Sequence, residues 1–257
     1  MKRVRLIIQY DGAGYVGWQT QPNGLAVQEV MEKELRKLTG EDIALHASGR
    51  TDSGVHALAQ VAHFDTESRI PAEKFSYALN TGLPRDIRVQ YSGEAPAEFH
   101  SRFDAKHKQY RYTVLNAPHA DAFLRDRALH LHYRLDFDAM QQAAAYAVGE
   151  HDFAAFKAAG SKVDSTVRTI FRSEWTKQGN LLHYDVEGNG FLYNMVRILV
   201  GTMLDIGLGR STPESMKLAV EGAQRSLAGP TAPPEGLALV RVRYQDFDTA
   251  DYVPLTR

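Results

Sequence analysis

An apolar segment from Phe191 to Leu208 limits how this chain can fold. It is rich in Leu, Val, Met and Ile and approaches the length of a membrane span, but Arg197 and Asp205 inside it argue against that use. Glycine-rich stretches at 188–190 and 207–209 bound the segment. We therefore predict a helix that is buried on nearly all sides in a globular core and holds Arg197 against a buried acid.

Hydrophobic periodicity predicts the other elements. The first half reads as strand, helix, strand, strand, helix and strand, at about 3–10, 25–38, 43–49, 58–65, 71–80 and 87–94. The second half reads as a strand near 107–115, a helix near 136–148, strands near 166–176 and 180–188, the apolar helix, a helix near 213–223 and a strand near 237–244. Because this order suggests two split β-α-β units, we expect two α/β halves, 1–104 and 105–257.

The composition is that of a globular protein. With 257 residues, 44% apolar and 24% charged, the chain can bury a substantial core. The absence of cysteine excludes disulfides, thiolate nucleophiles and cysteine-based zinc sites. A net charge of −1 predicts no basic tail, although the 30 Lys and Arg residues can still be segregated onto one face. The apolar run after Met1 is too short for a signal peptide, so we expect a cytoplasmic protein.

A polar turn joins two segments with strand-like alternation, and its sequence is Gly49-Arg50-Thr51-Asp52-Ser53-Gly54-Val55-His56-Ala57. Its glycines permit backbone angles that other residues avoid, so the side chains between them can be presented to a cleft. A lone stretch of this kind is more often a plain turn, in which Asp52 bonds its own backbone. The alternative is a chemical role for Asp52.

Six blocks in order along nearly the whole chain resemble the tRNA pseudouridine synthase A family. They are Tyr10-Asp11-Gly12 with Tyr15, Gly17, Trp18 and Gln19; the Gly49–Ala57 turn; Phe99–Phe103; Lys108–Tyr112; Gly149–Phe153 with Phe156; and Gly190–Arg197. Any one block is a weak signal, but six in register are difficult to produce by chance. Ser101 and Gly49 stand where Ala would be equally typical, and neither departure touches the chemistry.

The resemblance implies a fold and a reaction. The implied fold is α+β, with two ferredoxin-like or RRM-like split β-α-β halves that form a mixed, mainly antiparallel sheet around a central cleft. The implied reaction detaches a uridine at position 38, 39 or 40 of the tRNA anticodon stem-loop at its N1–C1′ bond and rejoins it through C5. Isomerisation needs no redox step and no energy donor, so no cofactor and no metal are expected. The target base must leave its stack. The resemblance also implies a homodimer that binds tRNA and no membrane.

The same resemblance suggests roles for individual residues. Asp52 corresponds to the catalytic aspartate, and it must be ionised to attack. Whether it attacks C6, attacks C1′ or abstracts a sugar proton stays open. Arg197 is the expected cationic partner of Asp52. Arg50 is assigned to the flipped nucleotide or its phosphate, with a surface ion pair as the competing interpretation. Tyr110 resembles the family's active-site tyrosine, whose ring would stack on the extracted uracil.

RNA binding is expected to be electrostatic and directed at the backbone. The candidates on one short stretch combine cations with stacking surfaces, and they are Phe99, His100, Arg102, Phe103, Lys106, Lys108 and Arg111. A second, weaker basic site comprises Lys162 and Arg168, with Lys157. For all of these charges, a solvated strand face is the plain alternative.

Three other hypotheses compete. The glycines at 12, 14 and 17 form a G-x-G-x-x-G pattern after a strand, which would indicate a nicotinamide-dependent oxidoreductase, but 19–24 reads as a loop where the helix should open. His130 and His132 lack an evident third metal ligand. The remaining alternative is a non-catalytic RNA-binding module of paired RRM-like units. Replacing Asp52 by Asn distinguishes it, because only an enzyme would keep binding and lose turnover.

Overall fold

The computed structural model describes residues 1–160 and 163–253 as an α+β protein with mainly antiparallel strands. The strands are β1 Lys2–Tyr10, β2 His46–Ala47, β3 His56–Thr66, β4 Ile87–Ala95, β5 His107–Asn116, β6 Leu129–Leu131, β7 Gly149–Asp152, β8 Val167–Gln178, β9 Leu181–Gly188 and β10 Leu237–Arg243. The α-helices are α1 Val27–Thr39, α2 Phe75–Gly82, α3 Phe137–Ala145, α4 Met195–Gly207 and α5 Pro213–Gly222. Short 3₁₀ helices occur at Ala72–Lys74, Phe153–Phe156, Arg225–Leu227, Pro234–Gly236 and Thr249–Asp251.

The chain forms two compact units. The first unit comprises Met1–Lys108 together with Ala238–Arg257, and the second comprises Gln109–Leu237. The expected class, an α+β fold with a mixed and mainly antiparallel sheet, is confirmed. The division of the sequence at residue 104 stays a prediction.

In the first unit, the strands lie in the order β4-β1-β3-β10, with β2 paired to β3. The central strand β1 is antiparallel to β3 and to β4, with Leu6 opposite Ala62 on one side and Ser92 on the other. The last strand, β10, returns to pair in parallel with β3, where Ala238 lies opposite His56. Since β3 follows the polar turn directly, its position on the sheet fixes the position of the turn.

In the second unit, the strands lie in the order β5-β9-β8-β7, with β6 parallel to β5. The long strands β8 and β9 form an antiparallel pair, in which Trp175 lies opposite Tyr184. Periodicity missed β7 because a strand of four residues is too short to show alternation.

The helix α4 is the apolar segment of the sequence. It is buried on nearly all sides, as predicted, with eleven of its thirteen residues inside. It begins only at Met195, because Asn194 has a left-handed backbone (φ 60°) that interrupts the helix there. Among residues 1–160 and 163–253, no helix is long and apolar enough to cross a membrane. This finding agrees with the sequence analysis, in which Arg197 and Asp205 argued against a membrane span.

Two glycines of α4 make a matched pair for testing helix packing. A Cβ at Gly201 would collide with the backbone carbonyl oxygen of Pro230, whereas one at Gly207 would meet the flexible thioether of Met140 at 2.5 Å. We expect Gly201→Ala to lower the free energy of unfolding by about 1–3 kcal/mol. We expect Gly207→Ala to cost less, because Met140 can move and Ala favours a helix over Gly by about 1 kcal/mol. Urea unfolding measures both, and equal losses would contradict the packing explanation.

Candidate active site

The turn that carries Asp52 is fixed by its backbone. The amide of Val55 donates to the carbonyl of Asp52 at 3.1 Å, and Gly54 takes a positive φ of 77° that closes the turn. The buried hydroxyl of Thr51 hydrogen-bonds the Tyr10 hydroxyl at 2.7 Å. Asp52 itself is half-buried. The turn therefore has a set backbone path that holds the half-buried Asp52 in place.

A second loop, residues 11–18, packs against this turn, and we call it the supporting loop. Trp18 donates its backbone N–H to the carbonyl of Thr51 at 3.1 Å, and Gly54 donates to the carbonyl of Tyr15 at 3.2 Å. Both contacts require close backbone approach. A Cβ at Gly17 would lie 2.5 Å from the Thr51 carbonyl oxygen, and Gly17 has a φ of 106°. The supporting loop can therefore keep its path only with a glycine at this position.

The supporting loop also explains the G-x-G-x-x-G pattern. Gly12 lies so close to Val55 that a Cβ would collide with the Val55 carbonyl oxygen. Its N–H donates to Nδ1 of His56 at 3.0 Å, and the same nitrogen lies 3.2 Å from a carboxylate oxygen of Asp11. The helix α1 begins at Val27, ten residues after Gly17, and not at the glycines as a dinucleotide fingerprint requires. The sequence analysis noted these glycines but did not predict that they let the supporting loop pack against the Asp52 turn.

A second polar turn, residues 99–104, is held by a buried network around Ser101. The Ser101 N–H donates to His63 Nδ1 at 3.2 Å, and the Ser101 hydroxyl donates to the His46 carbonyl at 2.7 Å. The Tyr244 hydroxyl donates to the Ser101 carbonyl at 2.7 Å. Because Nδ1 of His63 accepts a peptide N–H, the ring must be neutral. Burial, together with Arg3 and two neighbouring histidines, lowers the pKa of His63 to about 4.

Several predicted RNA-binding residues come together on this turn. His100, Arg102 and Phe103 line one pocket with Arg50 from the Asp52 turn. Phe99 does not join them, because it is buried beneath the guanidinium of Arg5, 5.1 Å from the ring centroid.

Three further basic residues predicted to bind RNA make local contacts. In the first unit, Lys108 donates to the carbonyl of Ser48 at 2.5 Å, and the Lys106 backbone N–H donates to the Arg243 carbonyl at 2.8 Å. In the second unit, Arg111 donates to both carboxylate oxygens of the buried Asp185, at 3.0 and 2.9 Å. Arg111 is therefore held by a bidentate ion pair to a buried acid.

The second unit carries Tyr110 and Arg197. Tyr110 on β5 is only 8% exposed, and its ring meets that of Phe191 edge-on at 5.1 Å. Arg197 donates from Nε to the carbonyl of Ala232 at 2.7 Å and from Nη1 to the side-chain oxygen of Asn194 at 3.0 Å. Tyr112, the alternate residue on β5, is fully buried and donates to the Pro233 carbonyl. The expected apposition of Asp52 with Arg197 and Tyr110 stays a prediction.

The remaining candidates are peripheral. Arg168 is half-buried, which lowers its pKa, and it donates to the carbonyl of Ser165 at 3.0 Å. Lys162 lies outside the described residues. The ring of His130 hydrogen-bonds the carbonyl of Ala117 at 2.8 Å. In the part of the chain that the structure describes, no group of three or more His, Cys, Asp or Glu residues could hold a metal ion.

Comparison with known proteins identifies the class. A family model described as tRNA pseudouridine synthase matches residues 6–104 and 143–245. The chain is 50% identical to tRNA pseudouridine synthase A of Ruminiclostridium cellulolyticum over 95% of its length and 100% of that protein. It is 47% identical to the proteins of the same name from Acetivibrio thermocellus, over 95% of this chain and 100% of that one, and from Citrifermentans bemidjiense, over 96% and 99%.

These matches define an RNA-modifying isomerase. The chain belongs to the tRNA pseudouridine synthase family, as its six sequence blocks suggested. Its reaction is the isomerisation of uridine in tRNA.

The close approach of the supporting loop can be tested with a matched pair of glycine variants. Gly12→Ala forces the Val55 backbone to move, whereas a Cβ at Gly14 meets no atom within 4 Å. We expect Gly12→Ala to lower the free energy of unfolding by about 1–3 kcal/mol and to reduce kcat, because the Asp52 turn shifts. Gly14→Ala should leave both unchanged. Thermal or urea unfolding and single-turnover kinetics measure the two effects, and equal behaviour of the two variants would contradict the supporting role.

The neutral His63 predicts a specific loss of stability in acid. Its pKa in the folded state, about 4, lies below its ordinary value of 6.5, so the unfolded chain binds the proton more readily between these values. Stability is full above about pH 6.5 and falls as the pH drops toward 4. Between about pH 7 and 4.5, we expect His63 to contribute a loss of about 2 kcal/mol. Urea unfolding at both pH values checks this, with His63→Gln as the control whose loss should be smaller by that amount.

Proposed function

We propose that this enzyme converts uridines 38, 39 and 40 of the tRNA anticodon stem-loop to pseudouridine, with Asp52 as its catalytic residue and with the target base flipped out of its stack. The observation that carries the proposal is the Asp52 turn, whose backbone is pinned by Trp18 and Tyr15 of the supporting loop while the carboxyl group is half-exposed. A catalytic group held in this way does not need to be ordered when substrate binds.

The reaction balances without any added reagent. The N1–C1′ bond of the target uridine breaks, a C5–C1′ bond forms, and the C5 proton is lost as N1 gains one. The isomerisation is redox-neutral overall, because the changes at C1′ and C5 cancel, so the proposal includes no cofactor and no metal. Asp52 acts as the anionic group at the base or ribose, and Arg197 favours its ionised form.

Three other residues complete the proposed site. Tyr110 stacks on the extracted uracil, which its position on a rigid strand and its edge contact with Phe191 support. Arg50 binds the flipped nucleotide or its phosphate, since it lies two residues before Asp52. The wider RNA surface is assigned to His100, Arg102, Phe103, Lys106, Lys108, Arg111, Lys162 and Arg168. Phe99 is buried in the first unit and is left out of this surface. We further propose that the enzyme works as a homodimer in the cytoplasm, as the family resemblance implies.

The decisive experiment is tritium release from unmodified tRNA labelled at uridine C5. We expect the wild type to release tritium with no added cofactor and Asp52→Asn to bind the tRNA but release none, a loss of at least about 10⁴-fold for a residue that acts as nucleophile. Mapping the product pseudouridines tests positions 38, 39 and 40. Tight binding by the wild type without release from several such tRNAs would favour the RNA-binding module instead, and Asp52 would then be only a turn residue.

A further inference from the structure

A small pocket lies beside the Asp52 turn in the first unit. Its volume is about 220 Å³, below the roughly 300–1,000 Å³ of pockets that enclose drug-sized ligands. Its walls come from the supporting loop, from β2 and from the two polar turns, including Arg50, His100, Arg102 and Phe103. The size suits a single flat ring, and the walls combine the guanidinium groups of Arg50 and Arg102 with four aromatic rings, those of Trp18, His46, His100 and Phe103.

The aromatic wall is built to present a stacking face. Phe103 is 73% exposed, an unusual position for a large apolar ring, and its centroid lies 4.3 Å from that of His100. Nδ1 of His100 accepts N–H groups from Arg102 at 3.1 Å and Phe103 at 3.4 Å, which leaves the ring proton on Nε2. Burial lowers the pKa of His100, so the ring is neutral at neutral pH. It therefore offers one N–H donor beside the exposed ring of Phe103.

The charged wall suits a phosphate. The guanidinium carbon of Arg102 lies 5.8 Å from the Phe103 ring centroid, so the cation and the stacking face belong to one site. Arg50 lines the same pocket, and its Cα lies within about 7 Å of that of Asp52 because only Thr51 separates them. Unpaired RNA bases are recognised by such pairs of aromatic rings and arginines.

We propose that this pocket binds one unpaired nucleotide of the substrate RNA, a neighbour of the target uridine and not the target itself. Its base stacks on Phe103 beside the N–H donor of His100, and its phosphate binds Arg102, while Arg50 keeps its proposed role at the flipped target nucleotide. The inference rests on the proposed function, because the neighbour is defined relative to the uridine at Asp52. The buried Ser101 network makes the pocket rigid before RNA arrives, so little ordering is needed on binding.

The stacking contact is tested with anticodon stem-loops that carry 2-aminopurine at one unpaired position at a time, bound to Asp52→Asn so that no turnover occurs. At one position next to the target, we expect quenched fluorescence that Phe103→Leu relieves and Phe103→Trp retains. Phe103→Leu should weaken binding about 5- to 150-fold. The matched control is Phe123→Leu, since Phe123 is 94% exposed in the second unit and should change neither reading.

The phosphate contact has a separate reading. Binding of the same RNA is measured against salt concentration, and Arg102→Gln should reduce the slope of log K against log salt by about 1. Phe103→Leu should leave that slope unchanged, because stacking releases no counterion. The fluorescence and salt experiments both measure binding, so their results test the pocket even if the wild type releases no tritium.

Either of two results would overturn the proposal. The first is quenching at no unpaired position next to the target. The second is an equal effect of Phe103→Leu and Phe123→Leu on affinity. If Arg102→Gln reduced the salt slope while Phe103→Leu had no effect, the pocket would bind phosphate alone, and the proposed nucleotide subsite would be wrong.

Discussion

The close approach of two backbones is the constraint on which the candidate site depends. Gly12 and Gly17 let residues 11–18 lie directly against the Asp52 turn, close enough for peptide hydrogen bonds from Trp18 to Thr51 and from Gly54 to Tyr15. Peptide groups are bound to one another here without any side chain between them, which leaves little freedom for the turn. The position of Asp52 is therefore set by the fold of the first unit, before any substrate binds.

The second polar turn is also held by hydrogen bonds to its backbone, but here buried side chains make them. Ser101 is fully buried and bonds through its amide, hydroxyl and carbonyl to His63, His46 and Tyr244. Those partners come from β3, from β2 and from the segment after β10, so the turn is tied to three parts of the first unit. A buried network of this kind is stable only when every member is satisfied, which is why a neutral His63 matters. The half-buried His100 and the exposed Arg102 and Phe103 are thus carried on an anchored backbone.

Much of this was predictable from the sequence, and the rest has identifiable physical reasons. The long strand β8 is predictable from its alternation and α4 from its run of apolar residues. The polar turn at Asp52 is predictable from its glycines. The pairing of β10 with β3 was not predictable, because it joins residues far apart in the chain and leaves no local pattern. Phe99 was predicted to be a stacking surface because a motif does not tell which of its aromatic residues faces inward. The role of Ser101 was missed because a motif does not tell which of its polar residues is buried.

The distribution of charge shows how a chain with net charge −1 can attract RNA. Some arginines are committed to carboxylates within the fold, as Arg3 is to Asp65 and Arg241 to Asp248. Such pairs are nearly neutral at a distance and add little to a long-range field. Attraction for phosphate must then come from cations gathered locally, and Arg50 and Arg102 at one pocket are such a pair. The nucleotide subsite that we propose uses this local field, because the cation attracts the phosphate while the unpaired base stacks beside it.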